Sequence, residues 1–418
     1  MQNTATHYDV IILGGGAAGL MCAATAAQRG RRVLVLEKAN KVGKKILMSG
    51  GGRCNFTNYS IEPENYISHN PHFCKSALSR YTQWDFIALV ERYGIAYEER
   101  KHGQLFCQDS AKDILNMLLG ECEQAGVEIK TRCEASTIKC VNADDDAVFS
   151  DLNRSDNKKA TYQVGIAGGE SNVYCQSLVV ATGALSIPTL GGSGIGYDIA
   201  RQFGLPLTEC RAGLVPFMFS DFMKPICQRL SGLALEVEVR CKGQAFTENL
   251  LFTHRGLSGP VILQISNYWQ PGDEINIDLL PEINATEWLL SAKCQQGKSR
   301  LNTLLNKHLA KALVNELQTL WWSQLASSPL AEFSDKHLQT IGEQLNRWCL
   351  KPSATEGYRT AEVTLGGVDT NSISSKTLEA KQQAGLYFIG EVLDVSGHLG
   401  GFNFQWAWSS GYSAGQFV

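Results

Sequence analysis

Two glycine-rich runs and one acid carry the clearest chemistry in this chain. Gly14-Gly15-Gly16-Ala17-Ala18-Gly19 follows the apolar run Tyr8-Asp9-Val10-Ile11-Ile12-Leu13, and Glu37 closes the next apolar run, Val33-Leu34-Val35-Leu36. Strand, glycine turn, helix, strand and acid at this spacing form a βαβ unit that holds a dinucleotide. Gly14 permits the tight turn off the strand. Gly16, lacking a Cβ, lets a pyrophosphate approach the backbone at the positive end of the helix dipole. Gly19 lets the helix lie close to the sheet, with Ala17 and Ala18 opening it, and Glu37 accepts hydrogen bonds from a ribose. Gly43-Lys44-Lys45-Ile46-Leu47-Met48-Ser49-Gly50-Gly51-Gly52-Arg53-Cys54-Asn55 then offers backbone N–H groups to one concave side, with Arg53 as a fixed charge suited to a pyrophosphate. Cys54 reads as a small buried residue rather than a redox thiol.

The C-terminal run Leu386-Tyr387-Phe388-Ile389-Gly390-Glu391 is a strand ending in Gly-Glu, and Gly400-Gly401-Phe402-Asn403 opens a helix. A carboxylate at a strand end suits the hydroxyls of a ribityl chain. The first N–H groups of the helix suit the flavin edge where negative charge collects on reduction. Gly191-Gly192-Ser193-Gly194-Ile195-Gly196 fails as a second dinucleotide motif. Position 193 is Ser, the run starts well past the strand end at Gly183, and no strand and acid follow.

The elements that must position these residues are legible in outline. Helices are expected over 20–29, 85–92 and 111–124, the last with a capping box from Ser110 to Asp113. Residues 41–58 read as a long loop, 127–129 and 135–141 as strands, and 147–168 as a hairpin-like excursion after a turn at Asp144-Asp145-Asp146. The run Leu178-Val179-Val180-Ala181-Thr182-Gly183 reads as a buried parallel strand. Beyond Pro206 the texture changes: Leu235, Val237, Val239 and Cys241 alternate with charged residues, as do Ile275, Ile277 and Leu279 with polar ones. Residues 286–350 read as mostly helical, and strands resume at 360–365 and 386–389. The fold class is therefore α/β, with a discontinuous Rossmann-like domain (1–205 and 352–418) interrupted by an insertion at 206–351. The insertion is β-rich over 206–283 and helical over 284–351.

Composition narrows the function classes. Hydrophobic content of 44% and charged content of 19% fit a soluble globular chain. A net charge of −3 gives no electrostatic case for nucleic acid, so a small-molecule substrate is expected and no nucleic-acid or membrane partner. Residues 1–7 carry no basic leader and the thirteen cysteines include no CxxC pair, which points to the cytoplasm and away from a disulfide reductase. No metal-ligand spacing stands out. His398, in the C-terminal glycine run, and His254, in Thr253-His254-Arg255-Gly256, are the acid–base candidates, with His102 behind them. Trp321-Trp322 reads as helix packing.

Taken together, these runs resemble the BaiN-like flavoproteins, a bacterial family of FAD-dependent oxidoreductases related to aminoacetone oxidase. The resemblance rests on GGGAAG (14–19), GKKILMSGGGRCNFTN (43–58), HGQLFCQDSAKDIL (102–115), VVATGALSIPTLGGSGIGYDIA (179–200), LLFTHRGLSGP (250–260) and GEVLDVSGHLGGFNFQWAWSSG (390–411), and spans essentially the whole chain. It implies an extended FAD, with Gly14, Gly16 and Gly19 at the pyrophosphate, Glu37 at the adenosine ribose and Ala135 meeting the adenine. Lys38, Lys44, Ser49, Gly50, Gly51, Arg53, Cys54 and Asn55 would follow the cofactor. Ala181, Thr182 and Gly183 would form a turn beside it, Gly390 and Glu391 would hold the ribityl chain, and Gly400 with Gly401, Phe402 and Asn403 would approach the ring. It also implies a barrel-like plus helical insertion. The expected activity is hydride transfer through flavin N5 on a small molecule, with NAD(P)H as a transient reductant at the flavin face. The alternative is a flavin-binding redox sensor or assembly partner without turnover. Flavin-dependent RNA modification is disfavoured by the charge balance. Oligomeric state is not legible.

Overall fold

In a computed structural model that describes residues 6–141, 161–168 and 172–418, the chain divides into two compact units, 1–211 with 363–418, and 212–362. The expected boundaries stood at 205/206 and 351/352.

The first unit is built on a seven-stranded sheet. Its parallel part runs, in spatial order, through Glu128–Thr131, Val33–Glu37, Thr6–Leu13, Asn172–Val180 and Leu386–Phe388. Leu13 lies opposite both Leu36 and Val180, and Val180 opposite Phe388, so these strands end level with one another. Val10, Ile11 and Ile12 are fully buried, as are Leu34 and Val35, which is why these strands read as continuous apolar runs rather than alternating ones. In such a sheet a ligand sits beyond the carboxyl ends of the strands. The glycine turn, Glu37, the 181–183 turn and the 390–391 turn all leave from that one edge. An antiparallel pair, Thr161–Ile166 with Ala135–Val141, extends the sheet. The turn expected at Asp144-Asp145-Asp146, and most of the excursion attached to it, lie outside the described residues.

Two helices lock this sheet to the C-terminus. Ala17–Gln28 leaves the glycine turn, and Phe402–Gly415 packs along it. Gly411 and Gly415 lie one turn apart on the same face and make the approach possible. A Cβ on Gly411 would stand 2.4 Å from the Ala18 carbonyl oxygen, and one on Gly415 would stand 2.6 Å from Thr25 Cβ. The indoles of Trp406 and Trp408 donate to the carbonyls of Gly390 and Phe56, so the buried polar edge of each ring is satisfied.

Local structure departs from expectation in three places. Residues 41–58 are not one loop: they hold a short helix, Lys44–Met48, a tight turn, Ser49–Gly52, and a strand, Asn55–Asn58, paired with Gln104–Cys107. Ser110 caps Ala111–Gln124 by accepting from Lys112 N–H rather than Asp113, and the reciprocal box forms instead between Thr82 and Asp85. Trp348–Leu350 is a strand, not the end of a helix, because its short apolar run pairs with Ile275–Asp278.

The second unit carries a seven-stranded antiparallel sheet in the order Trp348–Leu350, Ile275–Asp278, Ala234–Cys241, Gln244–Phe252, Gly256–Ser258, Phe217–Met218, Ala354–Thr355. Its two end strands are joined by residues 351–353 alone. That linker spans at most about 14 Å, whereas seven flat strands would separate the ends by about 29 Å. The sheet must therefore curl on itself, as a barrel does. The helices Ala285–Gln296 and Asp335–Asn346 pack on each other through Gly342, whose Cβ would meet Thr286 at 2.5 Å. Trp322 is buried, and its indole donates to Asn302, so the tryptophan pair serves packing.

Gly411→Ala gives a direct test of the helix contact. Alanine is favoured over glycine within a helix by about 1 kcal/mol, yet here its methyl group meets a backbone carbonyl. We expect a net loss of stability of about 1–3 kcal/mol in chemical denaturation. A gain would show that the two helices can separate without cost.

Candidate flavin site at the carboxyl edge of the sheet

The turn after the first strand is held from two sides. Gly14 N–H donates to Leu36 O at 2.8 Å, and Ala181 N–H donates to Leu13 O at 2.9 Å. Gly14 has φ +109°, and a Cβ there would stand 2.4 Å from Ala181 O. A Cβ on Gly19 would stand 2.0 Å from Gly14 O. Both glycines are thus required by the fold itself. Gly16 is different: its backbone is extended (φ −85°, ψ −169°) and nothing lies within 4 Å of where its Cβ would be. Neither conformation nor packing demands glycine there. An open cradle at a helix N-terminus whose first N–H groups have no side-chain cap fits a bound pyrophosphate.

Glu37 closes the neighbouring strand. Its Oε2 accepts from Gly15 N–H at 2.9 Å and its Oε1 from Ala39 N–H at 2.7 Å. Each oxygen keeps a further lone pair for a ribose hydroxyl. Cys133 N–H donates to Glu37 O, which brings the start of Ala135–Val141 beside this acid. Lys38 extends toward the turn at Gly191.

The Ser49–Gly52 turn has left-handed backbone at Gly50, Gly51 and Gly52, with open space at the last two. Gly50 packs against the Phe106 ring. Ser49 Oγ donates to Ile46 O. Arg53 lies 3.5 Å from Glu98, so its charge is engaged by that carboxylate. Cys54 is fully buried, and burial pushes its thiol far above the ordinary range; the same effect raises Cys107 to about 12. Neither thiol ionises at neutral pH, and all thirteen cysteines are free. The Asn55 amide donates to the carbonyls of Thr57 and Leu105 (3.3 Å each) and accepts from Gly401 N–H at 3.2 Å.

Glu391 is the centre of the most connected polar group at this edge. Its Oε2 accepts from Lys45 Nζ at 2.7 Å, and its Oε1 accepts from Ser186 Oγ at 2.7 Å and Thr364 N–H at 3.0 Å. Lys45 Nζ also donates to Ser186 Oγ at 2.7 Å. Of the two adjacent lysines it is Lys45, not Lys44, that reaches this carboxylate. Glycine spacing alone could not separate them, and Ser186 and Thr364 carried no sequence signal. Gly390 packs on Ala18, while Gly183 faces Glu391 at about 4 Å, so the Gly-Glu turn meets the first glycine turn and the 181–183 turn. Thr182 faces Gly196, whose Cβ would meet its hydroxyl at 2.4 Å; a Cβ on Gly192 would meet Ser186 O at 2.3 Å. Close packing, rather than a second dinucleotide, accounts for those two glycines.

The C-terminal glycine run is braced from below. Asn403 accepts from Gly397 N–H and donates to Gly397 O, so its amide holds the chain before the helix. Asn58 donates to Gly400 O, Tyr66 to Phe402 O, and Gly401 caps the helix with φ +95°. His398 lies partly buried in this run, and desolvation pushes its imidazole down to about 4. It is therefore neutral at pH 7. His69, which sequence patterning did not single out, meets the buried Asp394 through both its backbone N–H (2.9 Å) and its Nδ1 (2.8 Å). No local pattern could pair two residues 325 positions apart. His102 adopts φ +60° and uses its carbonyl to accept from Asn58. His254 stands exposed on the turn between Gln244–Phe252 and Gly256–Ser258 in the second unit. Among the described residues no cluster of His, Cys, Asp and Glu could hold a metal ion, and no helix is long and apolar enough to cross a membrane.

Two outcomes follow from this geometry. Gly16→Val should fold with unchanged secondary structure and melting behaviour yet fail to retain FAD; retention of FAD would disprove the pyrophosphate assignment. The folded imidazole of His398 takes its proton at about 4, against 6.5 for an ordinary histidine, so the unfolded chain binds more protons between those values. Wild-type stability should therefore fall as pH drops from 6.5 to about 4, relative to His398→Asn. The relative slope should approach about 1.4 kcal/mol per pH unit. Parallel pH profiles would contradict it.

Comparison with known proteins agrees with this architecture. Residues 8–417 match the family described as HI0933-like protein Rossmann domain. A protein of Escherichia coli (strain K12) named ribosomal RNA dihydrouridine synthase is 50% identical over 98% of both chains. A Clostridium scindens protein named 3-dehydro-bile acid delta(4,6)-reductase is 27% identical over 97% of both chains. Among solved structures, a 3-ketosteroid-delta4-(5alpha)-dehydrogenase from Rhodococcus jostii RHA1 shares the fold, with a TM-score of 0.50, 16% identity, and coverage of 99% of this chain and 98% of that one. The chain belongs to the HI0933-like Rossmann family of FAD-binding oxidoreductases.

Proposed function

We propose that this protein is an FAD-dependent reductase of a carbon–carbon double bond conjugated to a carbonyl, and that its substrate is a uracil base of ribosomal RNA. The observation that carries this reading is 50% identity, over 98% of both chains, to the relative named for ribosomal RNA dihydrouridine synthesis. The charge balance pointed to a small molecule and away from nucleic acid. A net charge of −3 is, however, a sum over 418 residues and not a map of the surface, and identity along the whole chain weighs more.

Saturating the uracil C5–C6 bond takes a hydride at C6 and a proton at C5, with the displaced electron pair held toward O4 in between. FAD, when bound, supplies that hydride from its reduced N5, and NAD(P)H is the two-electron donor that replenishes it. The chain's own residues then have distinct tasks. The open backbone at Gly16 and the first N–H groups of Ala17–Gln28 bind the pyrophosphate, and Glu37 holds the adenosine ribose. Glu391 holds the ribityl hydroxyls. The N-terminus of Phe402–Gly415 would lie toward the pyrimidine edge of a bound flavin, where its dipole would favour negative charge. Neutral His398 orients through a ring N–H or lone pair and is not a cationic acid at pH 7.

A second reading, the same reaction on a small unsaturated ketone, draws support from the bile acid reductase relative. The test is to incubate the FAD-loaded protein with NADPH and unmodified ribosomal RNA transcript, then look for dihydrouridine by nucleoside mass spectrometry. We expect dihydrouridine with matching NADPH oxidation. Oxidation driven by a 3-oxo-4-ene steroid but not by RNA would select the small-molecule reading. Failure of both would leave a flavin-binding sensor without turnover.

A further inference from the structure

We infer that Lys45 is the positioning residue of the flavin site, and that its ammonium balances the Glu391 carboxylate beside the bound ring system. This rests on the FAD assignment and goes beyond it, because the glycine cradles bind a dinucleotide without specifying any charge at the ribityl end.

Lys45 sits in the short helix Lys44–Met48, Ser186 in the turn after Asn172–Val180, and Glu391 in the turn after Leu386–Phe388. One ammonium thus joins the loops that follow three different parallel strands. Its Nζ lies 2.7 Å from both Glu391 Oε2 and Ser186 Oγ. Thr364 fixes the far side. Its N–H donates to Glu391 Oε1, and its buried hydroxyl accepts from the N–H groups of Leu185 and Ser186. Glu391 therefore receives hydrogen bonds on both oxygens from groups that are themselves held in place. The Lys45 and Glu391 side chains are only 32% and 20% exposed, so water screens the pair incompletely. Gly183, in the turn after Asn172–Val180, lies beside the carboxylate: a Cβ there would stand 4.0 Å from Glu391 Oε2.

A carboxylate beside a bound flavin would disfavour adding electrons to it. The lysine cancels that field and holds the carboxylate where ribityl hydroxyls can donate to it. Removing the lysine and removing the acid should then push the flavin in opposite directions, which a purely structural contact would not do.

The test measures FAD affinity by fluorescence titration and the flavin midpoint potential by anaerobic dye equilibration. Lys45→Met should weaken FAD binding at least tenfold and make the flavin harder to reduce. Glu391→Gln should make it easier to reduce. The double variant should return toward the wild-type potential, and Lys45→Arg should restore most of the binding. If Lys45→Met retains FAD with wild-type affinity and potential, or if both single variants shift the potential the same way, the inference is wrong. Should Lys45→Met fail to fold, Lys45→Gln, which keeps a hydrogen-bond donor but not the charge, should make the flavin harder to reduce, opposite in sign to Glu391→Gln. Absence of FAD from the wild-type protein would instead overturn the flavin assignment itself.

Discussion

The whole carboxyl edge depends on how closely the first glycine turn is wedged into the sheet. The end of Thr6–Leu13 is gripped on one side by the hydrogen bond from Gly14 to Leu36 and on the other by that from Ala181 to Leu13. No side chain fits between Gly14 and Ala181, or between Gly19 and Gly14. With both positions reduced to backbone, the helix Ala17–Gln28 starts directly over the strand ends. Its N-terminus then points into the space left open at Gly16. The C-terminal helix follows from the same economy of volume: Gly411 and Gly415 let Phe402–Gly415 rest on Ala17–Gln28, and Trp406 ties that helix to Gly390.

Around this frame, burial decides which groups carry charge. Cys54 and Cys107 are held as thiols, and His398 as a neutral imidazole, because each would lose hydration on ionising. Lys45 and Glu391 meet as a hydrogen-bonded ion pair. The edge thus offers open backbone N–H groups at the glycine turn and a hydrogen-bonded ion pair at Glu391. That suits hydride transfer, which needs position and an electron sink more than proton relays.

Much of this was legible in the sequence where the determinants are local. The spacing of Gly14, Gly16, Gly19 and Glu37 belongs to one short unit, and the strand ending in Gly390-Glu391 and the helix opening at Gly401 announce themselves by punctuation. Residues 111–124 form the helix expected of them, although Ser110 caps it through a different N–H. What was not legible depends on contacts distant in sequence or on a single step of register. Lys44 and Lys45 are indistinguishable until a one-turn helix fixes which one faces Glu391. His69 and Asp394 meet only because the chain returns after 325 residues. Trp348–Leu350 fits either a helix or a strand by pattern, and the partner strand Ile275–Asp278 decides it. Whether the substrate is a polymer or a small molecule depends on local surface, which a net charge averages away.

The most direct test of this account is a titration of the purified protein with FAD, followed by anaerobic NADPH, under a visible absorption spectrometer. Saturable binding of one FAD per chain, with flavin bands that bleach on NADPH and return when ribosomal RNA transcript is added, is the predicted result. A protein that binds no FAD, or whose bound flavin no donor can reduce, would contradict the reading of the carboxyl edge as a redox flavin site.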